Sequence, residues 1–121
     1  MLSWSVGQAA KPAPVRTVSA SAIFHDYCAA CHGLEGKGNG PAAPALKTKV
    51  PDLTRIAKDS KGMFPRERVR KIIEGADSMT SHGSREMPVW GPVFHEIGAD
   101  QDLGNVRVDN LIRYLESLQQ K

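Results

Sequence analysis

Apolar positions along the chain fall into three helical stripes, separated by loops rich in glycine and proline. Ala20, Phe24, Tyr27 and Cys31 recur at i, i+4, i+7 and i+11, so they share one face of a helix running from about Ala20 to Cys31. Ser19 or Ser21 can cap it, and Gly33 ends it as a residue tolerant of positive φ. Val69, Ile72 and Ile73 predict a second helix from Pro65, which suits a first turn, to Gly75, which suits a stop. The third stripe is the clearest. Val108, Leu111, Ile112, Leu115 and Leu118 repeat from about Asn105 to Gln119, while Arg107, Asp109, Arg113 and Glu116 are expected to face water. No segment alternates as a half-buried strand would, and there is no internal repeat. The predicted class is all-α.

Between the helices, Gly36 to Pro44 and Ser78 to Pro92 hold too many glycines and prolines for regular structure. Long loops in a small domain usually wrap something. Gly7 to Ser19, with its Ala-Ala-Lys-Pro-Ala-Pro run, reads as a linker. The expected organisation is a flexible tail or linker over residues 1–18 and one domain over 19–121, which suits a chain of 121 residues. Aromatic residues make up only 6%, so the core is largely aliphatic, and a large flat prosthetic group would help to fill it. No run of about 18 apolar residues is present to span a bilayer.

Charge is uneven. Lys47 to Lys71 holds nine basic residues against three acidic, a net of +6, whereas Ile72 to Lys121 holds four against eight, a net of −4. Such asymmetry can steer an acidic partner to one face, or can be a solvated surface and nothing more. Nucleic-acid binding is not expected, since the basic run lacks interleaved aromatics and any recognition motif.

The two cysteines of the chain stand together in Cys28-Ala29-Ala30-Cys31-His32. This is the Cys-x-x-Cys-His arrangement for covalent haem attachment. On a helix, residues three apart share a face, so both thiols can reach the two vinyl groups on one haem edge, and the next residue lies over the iron. A disulfide between helical residues three apart would be strained. A thioredoxin-type pair wants a preceding strand, and here a helix precedes. A zinc site would need two further ligands, and His25, His82 and His95 are scattered. The glycine run Gly33 to Gly40 lacks the order of a phosphate-binding loop.

Over roughly residues 19 to 119 the chain resembles the class I c-type cytochromes, and the phrases GNGPAAPAL and PDLT resemble bacterial monohaem members. The resemblance implies an all-α cytochrome c fold, with crossing N- and C-terminal helices and loops wrapping one covalent haem c. Phe24 and the Leu111/Tyr114 pair match the family's helix crossing, where its glycine is replaced by Ala20. It also implies a proline carbonyl that accepts a hydrogen bond from the axial histidine, fixing the imidazole and making it a better donor. Pro44, followed by Leu46, fits that place best, and Pro41 is the alternative.

For the second axial position the chain offers Met63, Met79, Met87 and His82. Met87 is preferred, because it opens Met-Pro-Val-Trp-Gly in the loop where similar family members carry their ligand methionine. Met79 is the first alternative, with His82 or an open site after it. Met63 reads as core filler, and His25 and His95 as surface or capping residues. Trp90 either packs on the haem edge and donates to a propionate, or fills the core. The expected iron ligands are therefore His32 and Met87, with Cys28, Cys31, Pro44, Leu46 and Trp90 completing the haem site. The implied function is single-electron transport rather than catalysis, with redox proteins, acidic ones among them, as partners. A haem peroxidase or gas-binding protein is the rival reading. The Ala/Pro-rich tail also suits a domain tethered to a membrane or a larger redox complex. Met1 to Ser5 lacks the features of an export signal, yet attachment of this kind implies a periplasmic or otherwise extracytoplasmic protein, with its signal removed and replaced.

Overall fold

The computed structural model describes residues 17–75, 87–95 and 103–120. Every regular element among them is helical, as the stripes predict. Helix α1 (Ala20–Ile23) runs through a π-helical turn (Phe24–Cys28) into α2 (Ala29–His32). Two 3-10 turns follow, Ala43–Ala45 and Leu53–Arg55, then α3 (Ile56–Asp59), α4 (Arg66–Glu74), α5 (Gly91–Phe94) and α6 (Gly104–Ser117). Of the expected tail, only Thr17 and Val18 are among the described residues.

Helix α6 is the hub because its apolar stripe is wide enough to serve three neighbours. Val108, Leu111, Ile112 and Leu115 are all buried, and α1, α4 and α5 pack on them. Ile23 and Phe24 come from the N-terminal side, Val69 and Ile73 from α4, and Phe94 from α5. The Phe24 and Tyr114 rings sit 5.5 Å apart at the expected crossing. Each such large side chain removed from water contributes about 2 kcal/mol.

The π turn changes the phase of the first helix. The Ala29 amide bonds back to the Phe24 carbonyl, five residues earlier, so the turn holds one residue more than a regular α-helix. A uniform helix places Cys31 on the Phe24 face. With the extra residue, Ala29 and His32 take the buried positions and Cys31 is only half-buried. Spacing alone does not reveal this shift.

Helix α4 keeps its expected bounds, with Pro65 at the N-cap and Gly75 as a left-handed C-cap at φ 83°. Its polar face is tied to α6. Arg66 donates to both Glu116 oxygens at 2.6 and 2.7 Å, and Arg70 pairs with Asp109. Asp109 and Glu116, expected to face water, thus partly absorb the charge asymmetry between the two halves. Arg107 departs further from expectation: it is 5% exposed. Its Nη1 donates to the Phe94 carbonyl at 2.8 Å and its Nε to Thr17 at 3.1 Å. The carbonyl at the end of α5 lacks a helical partner, and a guanidinium is long enough to supply one.

The sequence pattern shows neither α3 nor the turn before it, because three or four residues are too few for a periodic signal. These elements are held by the end of α6. Gln119 accepts from the Ala57 amide at 2.9 Å and donates to Leu53 at 2.6 Å, while the Gln120 amide donates to Thr54 at 2.8 Å. Beyond α3, Lys61 and Gly62 both adopt left-handed conformations, at φ 60° and 87°. The reversal turns Met63 outward and lets Phe64 pack on the core instead. Met63 is 77% exposed, so it is not core filler.

Candidate functional site

Cys28 closes the π turn, and Cys31 and His32 lie in the single turn of α2. Both cysteines are free thiols, not a disulfide. Burial, and secondarily the neighbouring Cys31, pushes the Cys28 thiol up to about 12, so it is protonated at neutral pH. Burial also lowers the His32 pKa, and the Pro51 carbonyl opposes that shift more weakly. The ring is therefore neutral at physiological pH and has a nitrogen lone pair to give. Its Nδ1 is buried and makes no well-aligned hydrogen bond, the Pro51 carbonyl being the backbone acceptor that acts on the ring.

The glycine-rich loop after His32 closes over the end of this helix. The Gly33 amide donates to Ala29, Ala42 to Ala30, Gly40 to Cys31 and Gly38 to His32, at 2.8, 2.8, 3.0 and 2.7 Å. All four terminal carbonyls are thereby satisfied within the chain. Gly40 makes this possible. A Cβ there would stand 2.3 Å from the Ala30 oxygen and 2.5 Å from that of Ala29, well inside contact distance.

Pro44 is exposed within the turn Ala43–Ala45, which lies against α2, and Leu46 after it is half-buried. The backbone carbonyl acting on His32 belongs to Pro51, not to Pro44 or Pro41. Capping explains the difference. The amide bonds draw the loop up onto α2, and the returning chain at Val50 and Pro51 then packs against Gly38, which caps His32 itself. The Pro-Asp-Leu-Thr phrase is the sequence signal for it, since Asp52 caps the following turn by accepting from the Thr54 amide at 2.9 Å.

Met87 is half-buried and packs on the same core as Cys28 and Trp90. The Trp90 ring lies 5.5 Å from Tyr27, edge-on, and stacks on Phe94 at 6.0 Å. Tyr27 immediately precedes Cys28, so this cluster joins the cysteine helix to the methionine segment. Met79 and His82 lie outside the described residues. His25 is exposed beside Asp26, whereas His95 is half-buried against Glu74, with Nε2 at 3.4 Å from the carboxylate.

Two thiols and a neutral imidazole beside the Pro51 carbonyl on one helical stretch, with a thioether on the same core, make a donor set that fits an iron porphyrin. Residues 18–119 match the family described as Cytochrome c. The chain belongs to the cytochrome c family. Members of this family carry electrons on covalently bound haem c and typically work outside the cytoplasm. The match covers every described element, and the all-α cytochrome c fold follows from it. Neither the curated proteins nor the solved structures give a match to this cytochrome. No helix among its described residues is long and apolar enough to cross a membrane.

Proposed function

We propose that this cytochrome carries single electrons on one haem c, bonded to Cys28 and Cys31, with His32 and Met87 as axial ligands. The observation that carries the reading is His32: buried, neutral, and on the same capped helical stretch as two free thiols. When bound, the haem supplies one-electron iron chemistry. The thiols anchor it, the imidazole gives one nitrogen, and Met87 offers a soft sulfur that favours ferrous iron. Pro51 is the carbonyl suited to orient the ring, while Pro44 and Leu46 border α2 and Trp90 backs the methionine segment. The domain is residues 19–121, with residues 1–18 as a tail or tether, and it works in the periplasm or another extracytoplasmic compartment. With both axial positions filled, it is a carrier rather than an enzyme. The native reduced protein is expected to titrate with one electron and to show no spectral change under carbon monoxide. Carbon monoxide binding, or turnover of hydrogen peroxide, by the native form would contradict this.

The partners are other redox proteins. Once Arg55, Arg66 and Arg70 are paired with Asp59, Glu116 and Asp109, the exposed cations Lys58, Lys61, Arg68 and Lys71 face only Glu67 among the acids of residues 58–71. That excess favours an acidic partner, through encounter rate more than through affinity. Reversing Lys58, Lys61 and Arg68 to Glu is expected to slow reduction by such a partner at low salt. The difference should fade as the Debye length falls below about 8 Å. Rates that ignore both the reversal and the salt would remove the case for an acidic partner.

A further inference from the structure

A thioether is a weak ligand, and Met87 sits in a segment, residues 87–90, without regular secondary structure. Something other than a helix must therefore hold it. We propose that Trp90 and Gly91 are positioning residues for Met87: they clamp its segment between the end of α4 and Tyr27. This rests on the reading of Met87 as distal ligand.

The clamp has two jaws. On one side the Trp90 amide donates to the Ile73 carbonyl at 3.0 Å, using a group that the end of α4 leaves open. The next residue, Gly91, lies directly on the backbone of Glu74. A Cβ at Gly91 would come within 2.9 Å of the Glu74 oxygen and 3.4 Å of its Cα. Val89 closes the same side by packing over Gly75, where a Cβ would meet its methyl at 2.5 Å. On the other side the Trp90 ring meets Tyr27 at 5.5 Å and Phe94 at 6.0 Å, and Tyr27 meets Phe94 at 5.8 Å. Phe94 is fully buried and its carbonyl is held by Arg107. The rear of the cluster is thus fixed to α6.

Two consequences follow. Residues 88 and 89 are the whole distance between Met87 and the clamp, so a displacement at Gly91 reaches the thioether with little slack. Tyr27 also adjoins Cys28, so the ring contact ties the methionine segment to the helix that carries the two thiols. In this arrangement Trp90 acts through its ring and its backbone amide, not through its indole N–H.

The test compares Gly91→Ala, Trp90→Leu, Trp90→Phe, Ile23→Val and Met87→Ala as holoproteins. The readouts are the charge-transfer band of methionine-bound ferric iron, the reduction potential and the melting temperature. Gly91→Ala and Trp90→Leu are expected to lose most of the band and to shift the potential downward, with haem still attached. Trp90→Phe keeps the aromatic faces without the N–H and should keep the band. Ile23→Val loosens the α1–α6 crossing, so it should lower the melting temperature and leave the band intact. A full band and unchanged potential in both Gly91→Ala and Trp90→Leu would overturn the clamp while leaving Met87 as ligand. Loss of the band in Trp90→Phe to the extent seen in Trp90→Leu would overturn it too, by showing that the N–H matters. Loss in Ile23→Val would reduce the effect to general destabilisation. Should Met87→Ala keep the band, the ligation and the clamp fall together.

Discussion

Met87→Ala will erase the charge-transfer band of methionine-ligated ferric iron and open the reduced protein to carbon monoxide. Alanine has no donor atom, so the sixth position passes to water or to whatever ligand is supplied. The reduction potential falls as well, because water and hydroxide favour ferric iron where a thioether favours ferrous. Axial ligands move haem potentials over a range of about 0.8 V, and a drop on the order of 0.2 V is expected here. The fold should survive, since Met87 is only half-buried at the edge of the core. Met79→Ala is the matched control and should change none of these properties. If Met79→Ala removes the band and Met87→Ala keeps it, the ligands have been assigned the wrong way round.

Gly40→Ala is expected to be among the most damaging single-methyl substitutions in the chain. The new Cβ is directed at two backbone oxygens, those of Ala30 and Ala29, and neither is the end of a flexible side chain that could swing away. The loop must lift, and with it go the bonds from Gly38, Gly40 and Ala42 to the carbonyls of His32, Cys31 and Ala30. Overpacking costs about 1–3 kcal/mol and each lost bond about 1 kcal/mol. Lifting relieves the overpacking at the expense of the three bonds, so a net loss of about 3 kcal/mol is expected, which lowers the melting temperature by roughly 12 °C or more. Because the disturbed turn carries Cys31 and His32, the yield of covalently attached haem should fall in parallel. Thermal melting and the ratio of haem to protein measure both effects. A variant that melts within a degree or two of the parent with full haem would show that the cap is dispensable.

Much of this site is legible in the sequence. Cys28, Cys31 and His32 are read from spacing because the chemistry itself fixes that spacing. The bounds of α4 are read because Pro65 has a fixed φ and no amide hydrogen, which suits a helix start, and Gly75 takes a left-handed φ of 83° that few other residues accept. Helix α6 is long enough for its stripe to be unambiguous. The rest depends on what a linear pattern does not contain. The π turn adds a residue without changing composition, so His32 rather than Cys31 reaches the buried phase. Arg107 reads as a surface residue until the open carbonyl of Phe94 is placed beside it. The charge run from Lys47 to Lys71 resembles a docking face, yet Arg66 and Arg70 find their partners 50 and 39 residues away. Pro51 displaces Pro44 as the carbonyl near His32 through capping bonds that only the folded loop can make.

Attachment of one haem to Cys28 and Cys31 is decided by denaturing mass spectrometry of protein matured in a haem-attaching host. Denaturation strips any cofactor held by ligation or packing alone and leaves only what is covalently bound. A single species heavier than the polypeptide by the mass of one haem is expected, and none of that species when Cys28 and Cys31 are both changed to Ser. A polypeptide mass without addition, from a host that attaches haem to other cytochromes in the same culture, would contradict it.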